Sequence, residues 1–257
     1  MKGRVVFVGA GPGAPDLITV RGYLALMEAD TVLYDSLVDE RIREGSKAEW
    51  IFVGKRCGRH SMKQEAITEL LASLALGGHK VVRLKGGDPT VLGRTGEEAL
   101  RLVELDIPFE IVPGVTSAVA APAFAGIPIT HRGLADSFCV VSAHRREDDV
   151  NLSIPPFHDR TTLVLLMAAQ TVEKWIPLLR LNGYPADLPV AFVSSASTEE
   201  QKVLTTTVGR ALMDIKGSHL ESPVMAVIGQ VVTLRAALKW FARDAKTEPR
   251  ARRRRSS

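Results

Sequence analysis

Residues Val81 to Glu98, VVRLKGGDPTVLGRTGEE, decide how the rest of the chain is read, because an apolar strand runs directly into a Gly-Gly-Asp-Pro turn. Two successive glycines give up side-chain packing and cost backbone entropy, so they mark a place where main-chain groups come close to something; Pro89 then fixes the direction of exit. The same letters also suit an ordinary strand-to-helix connection, since short glycine turns are common punctuation. Working outward, apolar runs rich in β-branched residues recur at Val5–Val8, Thr31–Tyr34, Trp50–Val53 and Val81–Leu84. Segments of helical periodicity separate them at Arg21–Glu28, Lys63–Leu76 and Glu97–Glu104. Strands alternating with helices argue for an α/β class with a parallel sheet and crossover helices.

A further run, Phe109–Val112, ends at Pro113-Gly114, and an alanine-rich helical stretch follows from Ser117 to Ala125. A domain boundary is expected there, giving an N-terminal α/β domain over 1–113, a C-terminal α/β domain over 114–242 and a basic tail over 243–257. In the second domain strands are expected at Phe138–Ser142, Thr162–Met167, Val190–Ser194 and Val224–Ile228, with helices at Thr171–Leu181 and Leu234–Ala242. No sequence repeat relates the halves. From about Arg243 no apolar pattern is left, and the tail reads as disordered.

With 257 residues, 46% of them apolar, the chain can bury the core of one large or two ordinary domains. The formal net charge of +4 invites a nucleic-acid reading until its position is considered. Arg250, Arg252, Arg253, Arg254 and Arg255 crowd the last eight residues, and the other 28 Lys and Arg side chains meet 29 acidic ones. The body is near neutral, so binding to nucleic acid is expected only nonspecifically, through the tail. Cys57 and Cys139 are too few for a disulfide framework and lie in no metal-ligand spacing; no metal is expected, and a reducing compartment fits. The start meets glycines after only four apolar residues, shorter than a signal peptide needs. The longest apolar run, Leu163 to Ala169, falls far short of the roughly 18 residues of a membrane span. A cytoplasmic protein that makes no use of a membrane is expected.

Val5–Val8 leads into GAGPGAPD, where Gly9, Gly11 and Ala14 satisfy the G-x-G-x-x-A dinucleotide fingerprint and Asp35 ends the next strand, as a ribose-binding acid would. Against that, a pyrophosphate site needs free backbone N–H groups at a helix N-terminus, which Pro12 and Pro15 lack, and Asp16 puts negative charge where phosphate would lie. By itself the loop leaves a dinucleotide and other small ligands open.

Six successive blocks then resemble the uroporphyrinogen-III C-methyltransferases of the tetrapyrrole methyltransferase superfamily, over roughly residues 3–242. They are VGAGPGAPDLITVRG, ADTVLYDSLV, VGKRCGRHSMKQEAI, VVRLKGGDPTVLGRTGEEA, PFEIVPGVTSAVAAPAFAGIPITHR and SPVMAVIGQVVTLRAALKWF. The resemblance implies two α/β domains of the tetrapyrrole methylase type with the active-site cleft between them, and a homodimer. It also implies S-adenosyl-L-methionine as methyl donor and two C-methylations that take uroporphyrinogen III through precorrin-1 to precorrin-2, in sirohaem or cobalamin synthesis. Carried over, the cofactor contacts are Pro12, Gly86, Gly87, Asp88, Val91, Thr116, Ser117, Met167 and Ala196, the last where the family usually has glycine. A sulfonium is cationic, so carbonyls and a carboxylate such as Asp88 suit it. The residues alone also allow Asp88 as a turn-former bonded to its own backbone.

Asp35, at the end of VLYD, matches the family's proton acceptor and Lys55, in VGKR, its proton donor; from the residues alone they could equally be a cap and a solvated strand end. Arg94 in GRTGEE, assigned with them to catalysis, and Arg132 in ITHR match positions facing the carboxylate-rich substrate, which the planar guanidinium fork suits. Glu97 could accept from pyrrole N–H groups or pair with Arg94 as its i,i+3 neighbour. His144 matches a substrate-side position, His131 is open, and Gln64 and Glu65 read only as a helix start.

The family usually has phenylalanine where this chain has Thr90 and Leu92, Tyr-Met-Gly where it has Leu166-Met167-Ala168, and Thr-Gly-His where it has Ser142-Ala143-His144. Most of these departures would line the tetrapyrrole side, so they bear on substrate choice and leave the cofactor unaffected. The competing classes are a relative acting on another tetrapyrrole or on RNA, and a dinucleotide-dependent oxidoreductase.

Overall fold

Five apolar runs of the first compact unit, Met1–Ala120, become the strands β1 (Arg4–Gly9), β2 (Thr31–Tyr34), β3 (Glu49–Phe52), β4 (Lys80–Lys85) and β5 (Phe109–Val112). The computed structural model describes residues 2–54, 62–143 and 152–241. Lys55, Cys57, His144 and the arginine-rich tail lie outside the described residues.

All strand pairings in this unit are parallel, in the order β3-β2-β4-β1-β5. Helix α1 (Val20–Met27) covers one face and helices α2 (Gln64–Leu76) and α3 (Thr95–Glu104) the other. Val5, Phe7 and Val81 pack with Ile67, Leu71 and Leu102, whereas Val6, Val8, Val82 and Leu84 pack with Leu26. Burial on both faces is why these strands read as continuous apolar runs with no alternation.

The strands end level, because Val8 lies opposite Leu84 and Val112, and Tyr34 opposite Leu84. The loops beginning at Ala10, Asp35, Gly86 and Pro113 therefore leave from one edge. From the neighbours β1 and β4, one crossover runs to β2 beyond β4 and the other to β5 beyond β1. In a doubly wound sheet that reversal, at the carboxyl edge, is where ligands bind.

Helix α4 (Ser117–Phe124) runs across the division into the second unit, Ala121–Ser257. There β6 (Ser137–Ser142), β7 (Thr161–Leu166), β8 (Pro189–Ser194), β9 (Lys202–Thr207) and β10 (Val224–Ile228) form a sheet ordered β6-β7-β10-β8-β9. β6 and β7 are parallel, while β10 is antiparallel to both β7 and β8, so β6, β7 and β8 share a direction and a carboxyl edge. Helix α5 (Val172–Leu181) packs Trp175 and Leu179 into the core with Leu165 and Phe192; the indole N–H donates to Ala168 O at 2.9 Å. Helix α6 (Ala211–Lys216) follows the edge strand β9.

The helix expected over Leu234–Ala242 does not form as one piece. A 3-10 turn over Gln230–Leu234 leads into a single helical turn, α7 (Arg235–Leu238), and Lys239 is already extended. The chain there presses on Gly126, where a Cβ would lie 2.6 Å from Leu238 O. Trp240 and Phe241 then dock on Phe124 with ring centroids 5.2 and 5.0 Å away. Ring packing on Phe124, with the Trp240 indole N–H donating to Ala123 O at 3.1 Å, outweighs the modest helix propensity of these last residues.

Candidate active site

Three loops leave the carboxyl edge of the first sheet and lock together through glycines. Ala10 N donates to Lys85 O at 2.8 Å, and Gly11 and Gly87 exchange hydrogen bonds, 3.2 Å from Gly11 N to Gly87 O and 2.7 Å in return. Pro12 follows this bridge and is half-buried. The third loop arrives at Gly114. A Cβ on Gly114 would run into Gly87 O and lie 2.6 Å from Gly9 Cα; one on Gly9 would lie 2.5 Å from Gly114 Cα. Gly87 holds φ at +67°, and a Cβ there would stand 3.8 Å from Thr116 Cα and 3.7 Å from Ser117 N. The structure thus brings together Pro12, Gly86, Gly87, Asp88, Thr116 and Ser117.

Asp88 ties the knot. Its Oδ2 accepts from Gly114 N at 3.0 Å and its Oδ1 from Thr90 N at 2.8 Å and the Thr90 hydroxyl at 2.5 Å. Val91 is set by the same turn, its N–H donating to Asp88 O at 3.3 Å. Burial pushes the Asp88 carboxyl up, but the Thr90 hydroxyl and the amides of Thr90, Gly114 and Val91 outweigh it, and the pKa lies below the usual value. A depressed folded pKa contributes stability that is complete above the unfolded value of 3.8 and lost as pH falls through the folded one. Denaturant unfolding at pH 7 and at pH 3 should therefore differ less for Asp88→Asn than for wild type. An equal difference would mean that this carboxylate carries no such linkage.

Asp35 follows β2, half-buried, with Oδ1 accepting from Leu37 N at 3.0 Å; among the described residues its Oδ2 takes no hydrogen bond. That turn packs on Gly86, where a Cβ would lie 2.8 Å from Leu37 Cβ, so Asp35 and the glycine turn are neighbours at the ends of adjacent strands. Gly54, just before Lys55, packs against the start of the Asp35 turn, its Cβ position 2.7 Å from Ser36 N and 3.1 Å from Asp35 Cα.

Arg94 caps α3 from the left-handed region at φ +57°, and its Nε and Nη2 fork onto Glu97 at 2.8 and 2.6 Å. This is the i,i+3 pairing open from the sequence, and it raises the guanidinium pKa further above its usual value. The pair is exposed enough that it contributes only about 0.5 kcal/mol, so a competing carboxylate can displace Glu97 cheaply.

In the second unit, Met167 and Ala196 follow the parallel strands β7 and β8 and so stand at one edge of that sheet. Ala168 N and Ser195 N donate to Val224 O and Pro223 O at 2.9 and 3.1 Å, which joins the two loops to the start of β10. Arg132 and His131 are exposed in a turn closed by the His131–Ala135 bridge, in sequence remote from those loops. Among the described residues the non-glycine residues at positive φ are Leu92, Arg94, Asp106, Met167, Ser195 and Ser197. All but Asp106 lie on loops that carry candidate residues. Strain of this kind is kept where surrounding structure enforces it, commonly at functional sites.

Sequence reasoning missed a buried charge network under these loops. Glu98, on α3, accepts from Arg83 Nε at 3.2 Å, Lys85 Nζ at 2.6 Å and Gln64 Nε2 at 2.9 Å. Gln64 is therefore more than a helix start. The available signal was a pair of cations inside an otherwise apolar, doubly covered strand.

The first loop does not suit a pyrophosphate. A 3-10 turn over Pro15–Leu17 follows it, and α1 begins only at Val20, capped by the Thr19 hydroxyl, which accepts from Gly22 N at 3.2 Å. No helix N-terminus is offered to phosphate where the fingerprint needs one. The Asp88 carboxylate within the glycine knot places negative charge there, which suits a cationic sulfonium and would repel a pyrophosphate. Among the described residues no cluster of His, Cys, Asp or Glu could hold a metal ion, and no helix is long and apolar enough to cross a membrane.

Residues 4–212 match the family model described as Tetrapyrrole (Corrin/Porphyrin) Methylases. A uroporphyrinogen-III C-methyltransferase from Methanocaldococcus jannaschii is 43% identical over 91% of this chain and 98% of its own length. A siroheme synthase from Vesicomyosocius okutanii is 42% identical over 95% of this chain, which spans 53% of that larger protein. The crystal structure of a uroporphyrin-III C-methyltransferase from Thermus thermophilus, complexed with S-adenosylhomocysteine, matches 90% of this chain and all of its own at 39% identity, with a TM-score of 0.77.

Proposed function

The chain belongs to the tetrapyrrole methylase family, and from that premise we propose that it is an S-adenosylmethionine-dependent uroporphyrinogen-III C-methyltransferase, adding two methyl groups through precorrin-1 to reach precorrin-2. The observation that carries this reading is the match to the Methanocaldococcus jannaschii protein, which extends over 98% of that relative. The glycine knot agrees with it chemically.

When bound, S-adenosylmethionine supplies an electrophilic methyl group on sulfur. Pro12, Gly86, Gly87, Asp88, Val91, Thr116, Ser117, Met167 and Ala196 hold the donor in this proposal. Arg94 and Arg132 bind tetrapyrrole carboxylates by bidentate charge-assisted hydrogen bonds, with Glu97 and His144 beside them. As a pyrrole carbon takes the methyl group, the ring becomes cationic and must lose a proton. Asp35 accepts that proton through the oxygen not engaged by Leu37, and Lys55, the residue matched to the family's proton donor, relays it onward to solvent. A cytoplasmic homodimer completes the proposal. Support for a second copy comes from the edge strand β5, whose Phe109 and Ile111 are exposed.

Calorimetric titration tests the donor site. S-adenosylmethionine should bind and NAD(P) or FAD should not; the reverse would overturn the proposal. Asp88→Ala should weaken S-adenosylmethionine binding about tenfold or more, because a charge-assisted hydrogen bond of about 1.5–3 kcal/mol between two loops is lost. Unchanged affinity would remove Asp88 from the donor site.

A further inference from the structure

The network of Arg83, Lys85 and Glu98 has no part in the chemistry described so far. The side chains of Arg83 and Lys85 are each 5% exposed, and that of Glu98 is fully buried. Replacing such a triad with apolar side chains is often neutral or stabilising, because dehydrating the charges consumes most of their mutual attraction. Burial, together with repulsion from Arg83, holds the Lys85 amine below its usual pKa against the pull of Glu98 and Asp35. Stability alone is therefore a weak reason for its presence, and its placement supplies a better one.

Lys85 immediately precedes Gly86 and runs under the loop that follows. A Cβ on Gly93 would lie 3.3 Å from Lys85 Cε and would collide with Pro89 O, and the Thr95 hydroxyl donates to that same carbonyl. Glu98 sits one turn into α3, whose cap is Arg94, with Glu98 N directed at Arg94 O at 3.5 Å. The ion pair thus joins the floor of β4 to the helix start that carries Arg94. On either side of Gly93, Leu92 and Arg94 are held at φ +56° and +57°, a backbone state that needs enforcement from its surroundings.

We propose that the Lys85–Glu98 pair is a positioning device for the Leu92–Arg94 loop, holding it against β4 so that the Arg94 guanidinium is presented in one place to a substrate carboxylate. This rests on the reading of Arg94 as a tetrapyrrole anchor. Neither Lys85 nor Glu98 touches the substrate. Their contribution is to spare Arg94 the ordering cost of finding its geometry at each binding event.

The test uses the full chain with Arg83→Met, Lys85→Met and Glu98→Leu together, so that no buried charge is left unpaired. The triple variant is expected to melt at or above the wild-type temperature and to bind S-adenosylmethionine within about twofold of wild type. Amide exchange across residues 89–98 should be about tenfold faster or more, and kcat/KM for uroporphyrinogen III about tenfold lower or more, chiefly through KM. Should that variant fail to fold, Glu98→Gln keeps the shape and carries the same two expectations. Unchanged exchange across 89–98 overturns the proposal whatever the turnover, and so does undiminished kcat/KM in a variant whose loop has loosened. A wild type that binds S-adenosylmethionine but methylates no uroporphyrinogen III would overturn the substrate reading alone, and the exchange measurement would then decide the positioning role by itself.

Discussion

Gly114→Ala is expected to abolish S-adenosylmethionine binding and to destabilise the protein by about 3 kcal/mol, the upper end of what overpacking costs. The added methyl group would enter Gly87 O and lie 2.6 Å from Gly9 Cα, and neither neighbour is a side chain that can rotate away. Gly87 exchanges two hydrogen bonds with Gly11, and Gly114 N is bound to Asp88, so no one loop can retreat without breaking a contact with another. Thermal melting should register a fall of roughly 6–12 °C. Wild-type melting together with wild-type affinity would mean that the three loops are not packed as described, and the cofactor assignment would lose its geometric support.

The second large effect concerns Arg94. Arg94→Ala should lower kcat/KM for the tetrapyrrole by about 100-fold or more, since a bidentate pair to a carboxylate is worth roughly 3 kcal/mol and each 1.4 kcal/mol is a factor of ten. Affinity for S-adenosylmethionine should change by less than about twofold, because the residue belongs to the α3 cap and not to the glycine knot. Arg94→Gly provides the sharper form. At φ +57° a glycine carries no Cβ penalty, so this variant should melt at or above wild type while losing the same turnover. Equal loss of turnover and donor binding would instead place Arg94 in the cofactor site.

How much of this was legible in the sequence depends on the range of the interactions involved. The first sheet was, because Val5–Val8, Val81–Leu84 and their neighbours are buried on both faces and their apolar runs record it directly. The resemblance located the loops, yet the reason for their glycines is tertiary: Gly9, Gly87 and Gly114 come from three segments and meet only in the fold. Asp88 was open between ligand contact and turn-former, and the structure displays the turn with a long-range bond to Gly114 added. Glu97 was open in the same way and is seen paired with Arg94.

Less was legible where distant packing decides the outcome. The segment from Leu234 turns extended at Lys239 because Phe124 and Gly126, more than a hundred residues earlier, receive it. The role of Gln64 depends on Glu98 across two helices, which no local pattern records. The edge strand β9, KVLTTT, carries three consecutive threonines and has only Val203 and Leu204 as buried apolar anchors, too short a run to separate it from a loop.

The central claim is that this chain methylates carbon on uroporphyrinogen III. The most direct measurement is incubation of the purified protein with anaerobically generated uroporphyrinogen III and isotopically labelled S-adenosylmethionine, followed by counting the methyl groups on the isolated tetrapyrrole. Two labelled methyl groups, with a singly methylated species appearing first, are predicted. An unlabelled tetrapyrrole in the presence of bound S-adenosylmethionine would contradict the claim.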